Sequence, residues 1–306
     1  MTRVVKKDDG GEVRRVTWVG LAWNVALTLG KFAGGVLGGS QALVADAIHS
    51  ASDFVTDIAV IVGSHFWNMP PDAEHPYGHR RFETLVTMGI GISVAAVGVG
   101  LGYGAIMSLL SGEGKHPELL AAIMALASIV VKEVLFHYTR AEGRKIRSQA
   151  LEANAWHHRS DAFSSIPVLI AVVISLVFPQ LWFADAVGAL IVAFFVLRSA
   201  YEIASPGAKQ LVDQGADEKV AKKLLEIALG HAKVMSVHGF RTRYVGSDLH
   251  VDLHIVVDAQ MSLMEAHDVA EEVEQLLIQA DENVVDALVH VDPYDPKRAN
   301  KPKEKE

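Results

Sequence analysis

Six stretches of this chain are apolar for about 20 residues each, the length a helix needs to cross a bilayer: 16–36, 41–67, 82–110, 119–138, 151–177 and 184–203. They occupy the first two thirds of the 306 residues and are parted by short turn-rich segments such as GGVLGGS and SGEGKHPE. The expected fold is an α-helical membrane protein with six transmembrane helices over 16–205, preceded by a cytoplasmic N-terminal tail over 1–15. An even number of crossings returns the chain to its starting side.

Positive charge assigns that side. Arg3, Lys6, Lys7, Arg14 and Arg15 precede the first stretch, Arg80 and Arg81 follow the second, and Arg140, Arg144, Lys145 and Arg147 follow the fourth, whereas the opposite loops carry only Lys115. By the positive-inside rule both termini are cytoplasmic. Residues 2–15 are polar with no short apolar core, so a cleaved signal peptide is not expected.

The second stretch is interrupted by charge. Asp46, His49, Asp53 and Asp57, spaced three, four and four apart, fall on one face of a helix. Ionisable groups at bilayer depth are costly and are usually functional. The fifth stretch answers with His157 and Asp161. Asp53 lies about 18 Å from the outer end of its helix and Asp161 about 15 Å from the inner end of its own, so the two motifs meet in a core about 30 Å thick. Hydrogen bonding between helices would explain one such residue but not two matched pairs.

His49, Asp53, His157 and Asp161 supply two imidazoles and two carboxylates. The chain has no cysteine, so disulfides and thiolate sites are excluded, and this donor set suits zinc over iron, cobalt, cadmium or manganese. Histidine ligates when neutral and aspartate when ionised, so the same groups can exchange metal for protons. A polar site at mid-membrane between helices that rock suits alternating access. Asp46 and Asp57 could each be a relay or face a wet vestibule, the latter being the favoured reading, while Asp185 is read as the cap of the sixth helix and His158 as a neighbour of the site that does not ligate.

Two further clusters lie outside the apolar stretches. Asp72, His75 and His79 share a Pro/Gly loop that could hold a metal at the cytoplasmic surface, although turn chemistry alone also explains such a loop. From 206 to 292 the pattern is that of a soluble domain. A helix opens at Asp217, strands are read over 234–245 and 284–291, and Leu249, Val251, Leu253, Ile255 and Val257 alternate as one buried face of a strand. Ser262 and Glu265 form a capping box that opens a helix to about 280. The α-β-β-α-β order predicts an α+β, ferredoxin-like cytoplasmic domain. Its candidate metal ligands are His238, His254, His267, His290 and Asp292, the last two sharing a strand face, although a histidine on a domain surface is usually just solvated. The charged tail 293–306 is expected to be disordered, and a formal charge of −8 argues against a nucleic-acid partner.

On these motifs the chain resembles the cation diffusion facilitator family of divalent metal transporters, over roughly residues 18–292. The resemblance implies a transport site of His49, Asp53, His157 and Asp161, a loop site of Asp72, His75 and His79, and a cytoplasmic binuclear site of His238, His254, His267, His290 and Asp292. It further implies a homodimer in the inner (plasma) membrane that exports Zn2+ by proton antiport, with zinc also a structural or regulatory ion. Some bacterial members of the family place aspartate where this chain has His49, and the two-histidine version is similar to the zinc-selective branch. An ion pair between Arg81 and Asp213 is expected to interlock helix packing with the soluble domain. An intramembrane metalloenzyme and a membrane metal sensor are the competing classes. Against the enzyme, there is no His-Glu-x-x-His motif, and four protein ligands would fill a zinc site. A sensor predicts metal-dependent conformational change without flux.

Overall fold

The computed structural model describes residues 10–112, 116–146 and 148–295. Arg3, Lys6, Lys7, Lys115 and Arg147, used above for orientation, and the tail from 296 lie outside the described residues. Each predicted span falls within one helix: α1 Gly10–Leu37, α2 Gln41–Trp67, α3 Arg81–Ser111, α4 Leu119–Ile146, α5 Gln149–Val177 and α6 Phe183–Leu211. Among the described residues, five segments are long and apolar enough to cross a membrane by length and composition, and they take in α1 and α3 to α6. The remaining helix, α2, has 27 residues and ample length, but its carboxylates and His49 interrupt its apolar run.

Packing divides the chain into two compact units. One holds α1, α2 as far as Ala59, α3 from Ile90, α4, α5 and α6 as far as Glu202. The other holds Val60–Gly89 and the chain from Ile203 onward.

The core of the first unit is built mainly of Ala and Val from α2 to α6. Small residues let helix backbones approach closely, which is how helices associate where lipid removes the hydrophobic driving force between them. Gly188 of α6 shows the tightness, since a Cβ there would lie 2.5 Å from Ala171 Cβ and 3.1 Å from Ala42 Cβ. The start of α2 is fixed from α6. Ser40 caps α2 by accepting from the Leu43 amide at 3.1 Å. The Asp185 carboxylate accepts from the Ser40 hydroxyl and the Gln41 amide, each at 2.6 Å. Asp185 therefore caps α2 across the helix interface instead of its own helix, placing negative charge at the positive end of the α2 dipole.

In the second unit the soluble segment forms α7 Glu218–Leu229, β1 Ser236–Val245, β2 Asp248–Val257, α8 Leu263–Ala280 and β3 Val284–Pro293. The sheet has order β1-β2-β3, with β1 antiparallel and β3 parallel to β2. A parallel pair needs a crossover, and α8 supplies it. Leu249, Val251, Leu253, Ile255 and Val257 of β2 share a core with Leu224 and Ala228 of α7 and with Val269, Val273 and Leu277 of α8. Both helices therefore cover one face of the sheet, and His250, Asp252 and His254 lie on the other. The capping box at Ser262 and Glu265 is present as predicted.

Candidate metal centres

Within the first unit α2 and α5 each carry an imidazole and a carboxylate one turn apart. His49 Nδ1 is 3.9 Å from Asp53 Oδ1, and His157 Nε2 is 3.7 Å from Asp161 Oδ2. Asp53, His157 and Asp161 line one cavity of about 270 Å3, together with Asn24 of α1, Ser50 of α2 and Lys132 of α4. His49 stands one turn from Asp53, its Nδ1 buried and without a hydrogen-bond partner among the described residues. The four expected ligands are thus neighbours that are not drawn into one closed shell. Lys132 Nζ lies 2.6 Å from Asp161 Oδ2, the oxygen that His157 also faces.

Asp46 does not face a vestibule. It is 2 % exposed, accepts from Lys31 Nζ at 3.1 Å and from Ser165 Oγ at 2.9 Å, and so joins α1, α2 and α5. Lys31 Nζ also donates to Ser50 Oγ at 2.7 Å. A charge removed from water needs such a partner, which is why the vestibule expectation fails for this residue. The side chain of Asp57 lies outside the described residues. His158 is 1 % exposed and packs on α1, where a Cβ at Gly20 would meet its Nε2 at 3.2 Å. Neither Lys31 nor Lys132 was singled out in the sequence, yet each is a lone cation inside an apolar stretch, the signal that marked the aspartates.

Among the described residues, two groups bring three His, Asp or Glu donor atoms within 4.8 Å of one another. Asp72, His75 and His79 form the first. Asp72 Oδ1 accepts the Glu74 and His75 amides at 2.9 and 2.7 Å, and its oxygens lie 3.3 Å from His75 Nδ1 and 3.4 Å from His79 Nε2. Those amide bonds, first the one from His75, hold the Asp72 carboxyl below its ordinary value despite some desolvation. His79 Nδ1 faces the Pro70 carbonyl at 3.1 Å, which selects the tautomer protonated there and leaves Nε2 as a donor atom. Gly78, at φ +80°, supplies the left-handed turn between the two histidines.

The second group crosses the sheet. Register pairs His238 with His254 and His254 with His290, so three imidazoles stand in a row on adjacent strands. Ring centroids are 4.9 Å apart for His238 and His254, and 4.5 Å apart for His254 and His290. Asp292 Oδ2 lies 3.1 Å from His238 Nε2 and 3.0 Å from His254 Nδ1, and Oδ1 lies 3.7 Å from His290 Nδ1. Partial burial opposes ionisation of Asp292, but the His254 hydrogen bond and the surrounding imidazoles outweigh it and hold the carboxyl below its ordinary value. His267 does not join this row. It projects from α8, which covers the opposite face of the sheet, and pairs with Glu271 at 3.3 Å.

The Arg81–Asp213 pair is formed at 3.6 Å with both side chains largely exposed. Asp213 follows α6 with φ +53°. The Gln214 amide bonds the Lys209 carbonyl and the Asp213 amide the Gln210 carbonyl, a Schellman ending in which glycine is the usual residue. A shorter pair not anticipated from the sequence joins Arg80 to Asp248 at 2.9 Å. Beside it Gln210 accepts from Thr84 at 2.6 Å and donates to the Gly246 carbonyl at 2.9 Å.

Apolar helices enclosing a carboxylate–imidazole cavity, followed by an α+β domain with a His/Asp row, define a membrane transporter of metal cations. Residues 17–212 match the cation efflux transmembrane domain and residues 216–294 match the cytoplasmic domain of cation efflux proteins. The chain is 35% identical over 93% of its length to an uncharacterized transporter of Methanocaldococcus jannaschii, 99% of which is covered. It is 30% identical to the manganese efflux system protein MneP of Bacillus subtilis, over 92% of this chain and 96% of that one. It is also 30% identical to the magnetosome protein MamB of Paramagnetospirillum magneticum, over 91% and 93%. Among solved structures, a cadmium form of a MamM C-terminal-domain variant aligns with 26% of this chain and 98% of its own at 26% identity and a TM-score of 0.25. The chain belongs to the cation diffusion facilitator family and is an integral membrane metal-cation efflux transporter.

Proposed function

We propose that this transporter exports Zn2+ from the cytoplasm in exchange for protons, by alternating access around His49, Asp53, His157 and Asp161. The observation that carries this reading is the cavity shared by Asp53, His157 and Asp161 inside helices of membrane-spanning length. Two imidazoles and two carboxylates favour zinc over harder cations, and all four ligands lose metal when protonated. Both termini lie on the cytoplasmic side of the plasma membrane, and the transporter works as a homodimer. Asp72, His75 and His79 form a second metal site at the cytoplasmic surface, and His238, His254, His290 and Asp292 a third. The exposed Arg81–Asp213 pair interlocks α3 with the end of α6.

Manganese is the second reading, favoured by the likeness to proteins named for manganese efflux in Bacillus subtilis. Proteoliposomes carrying an imposed pH gradient test both, with Zn2+ and Mn2+ followed in parallel by entrapped dyes. Gradient-driven zinc movement that is lost in Asp53→Ala is the expected result. Zinc flux indifferent to the gradient, or intact in Asp53→Ala, overturns the reading, and saturable manganese flux without zinc flux replaces the cargo.

A further inference from the structure

We propose that Lys132 is a tethered counter-cation of the transport site: its ammonium holds Asp161 when no metal is bound and must be displaced for metal to bind. This rests on the reading that Asp53 and Asp161 are transport ligands.

Geometry sets up the competition. Lys132 Nζ and His157 Nε2 address the same Asp161 oxygen, at 2.6 and 3.7 Å, and an ammonium there takes up one of that oxygen's lone pairs and repels an arriving cation. Lys132 is 4 % exposed, and Asp161 is its only ionic partner among the described residues. The neighbouring Glu133 does not divert it, being engaged by Arg159 at 3.6 Å and His137 at 3.2 Å. Asn24 Oδ1, buried on the same cavity and without a hydrogen-bond partner among the described residues, is an acceptor for the displaced ammonium.

Charge gives the lysine a purpose. With neutral imidazoles, Asp53 and Asp161 alone would make the empty site doubly negative and the site loaded with a divalent ion neutral. Lys132 shifts both by one unit, so the empty site carries one negative charge and the loaded site one positive charge. The cost of holding charge in a low-dielectric interior grows with the square of the charge. Without the lysine that cost falls almost wholly on the empty site, whereas with it the two forms are matched. A carrier that must reorient both loaded and empty needs the two forms to be comparably stable.

Two substitutions separate this from mere support of the fold, because they move the apparent affinity in opposite directions. Lys132→Gln removes the competing charge, so KM for Zn2+ or Mn2+ in proteoliposomes falls about tenfold, and kcat falls with it as the empty form becomes costlier to turn around. Lys132→Arg offers a bidentate grip on the carboxylate, so KM rises above wild type. A lost structural contact would raise KM in both. An unchanged or higher KM in Lys132→Gln, or a lower KM in Lys132→Arg, overturns the proposal, and either variant suffices if the other does not fold. Asp161→Ala is run alongside: saturable flux persisting there defeats the transport-site reading and this inference with it, while its loss with KM unmoved in Lys132→Gln defeats the inference alone.

Discussion

Replacing Lys31 by methionine keeps the apolar stem and removes the charge of the buried pair with Asp46, together with the hydrogen bond to Ser50. At 3.1 Å between Nζ and Oδ2, Coulomb attraction amounts to about 5 kcal/mol at an effective dielectric constant near 20. Desolvation of the two groups, 1 % and 3 % exposed as side chains, costs several kcal/mol for each ion, so the intact pair comes out close to neutral. Removing one partner is different, because the Asp46 carboxylate keeps its desolvation cost and, among the described residues, retains only the 2.9 Å bond from Ser165. The expected loss is about 3–5 kcal/mol, seen as a melting temperature lower by on the order of 10 °C when unfolding in detergent is followed by tryptophan emission. Lys31→Met combined with Asp46→Leu removes both charges and should recover at least half of that loss. A single variant that melts within about 2 °C of wild type, or a double variant less stable than the two singles predict together, would refute the account of this pair as mutually dependent charges.

Two further outcomes follow from the second unit. Asp213→Gly relieves a left-handed residue, worth about 1 kcal/mol, and gives up an exposed ion pair worth about 0–1 kcal/mol. The melting temperature should hold or rise slightly while transport falls, and transport at the wild-type rate would show that the Arg81 contact has no coupling role. Glu265 is held below its ordinary value of 4.5, first by the Ser262 amide and then by the Ser262 hydroxyl. Its contribution to stability is therefore full above the unfolded-state value and disappears as pH falls through the lower folded-state one. Wild type and Glu265→Ala should differ in melting temperature at pH 7 and draw together as the pH falls below the ordinary value of 4.5, and a gap of constant size would contradict the capping-box assignment.

Periodicity made much of this fold readable in advance. The six helices, the strict alternation of β2 and the Ser262 capping box are local features, and each was visible as a run or a spacing. The i, i+4 pairs His49–Asp53 and His157–Asp161 were visible for the same reason. Features that need two distant segments were not. Nothing local says that Asp46 meets Lys31, or that Asp185 caps α2 and not α6, because those partners are 15 and 145 residues away, the latter through Ser40. The histidine row depends on register. A bulge after His238, where Gly239 takes φ +57°, and the parallel crossover through α8 together bring His238, His254 and His290 level. The same crossover puts α8 on the far face and carries His267 away.

The hold of the Pro70 carbonyl on His79 bears on how long an ion stays. In the loop group the carboxylate is bound by two amides and one ring is fixed by a backbone oxygen, so on the proposed reading an arriving ion would find its donors already aimed, with little protein freedom lost in catching it. Such a pocket would release an ion slowly, because leaving it gains no relaxation of the protein. The cavity of α2, α4 and α5 differs, since Lys132 must swing away and His49 and Asp53 must draw in before an ion is enclosed. On the proposed reading, dwell time would be graded along the chain: long where the donors sit in a folded loop, short where they sit among helices, as a carrier requires if its cargo is to move on.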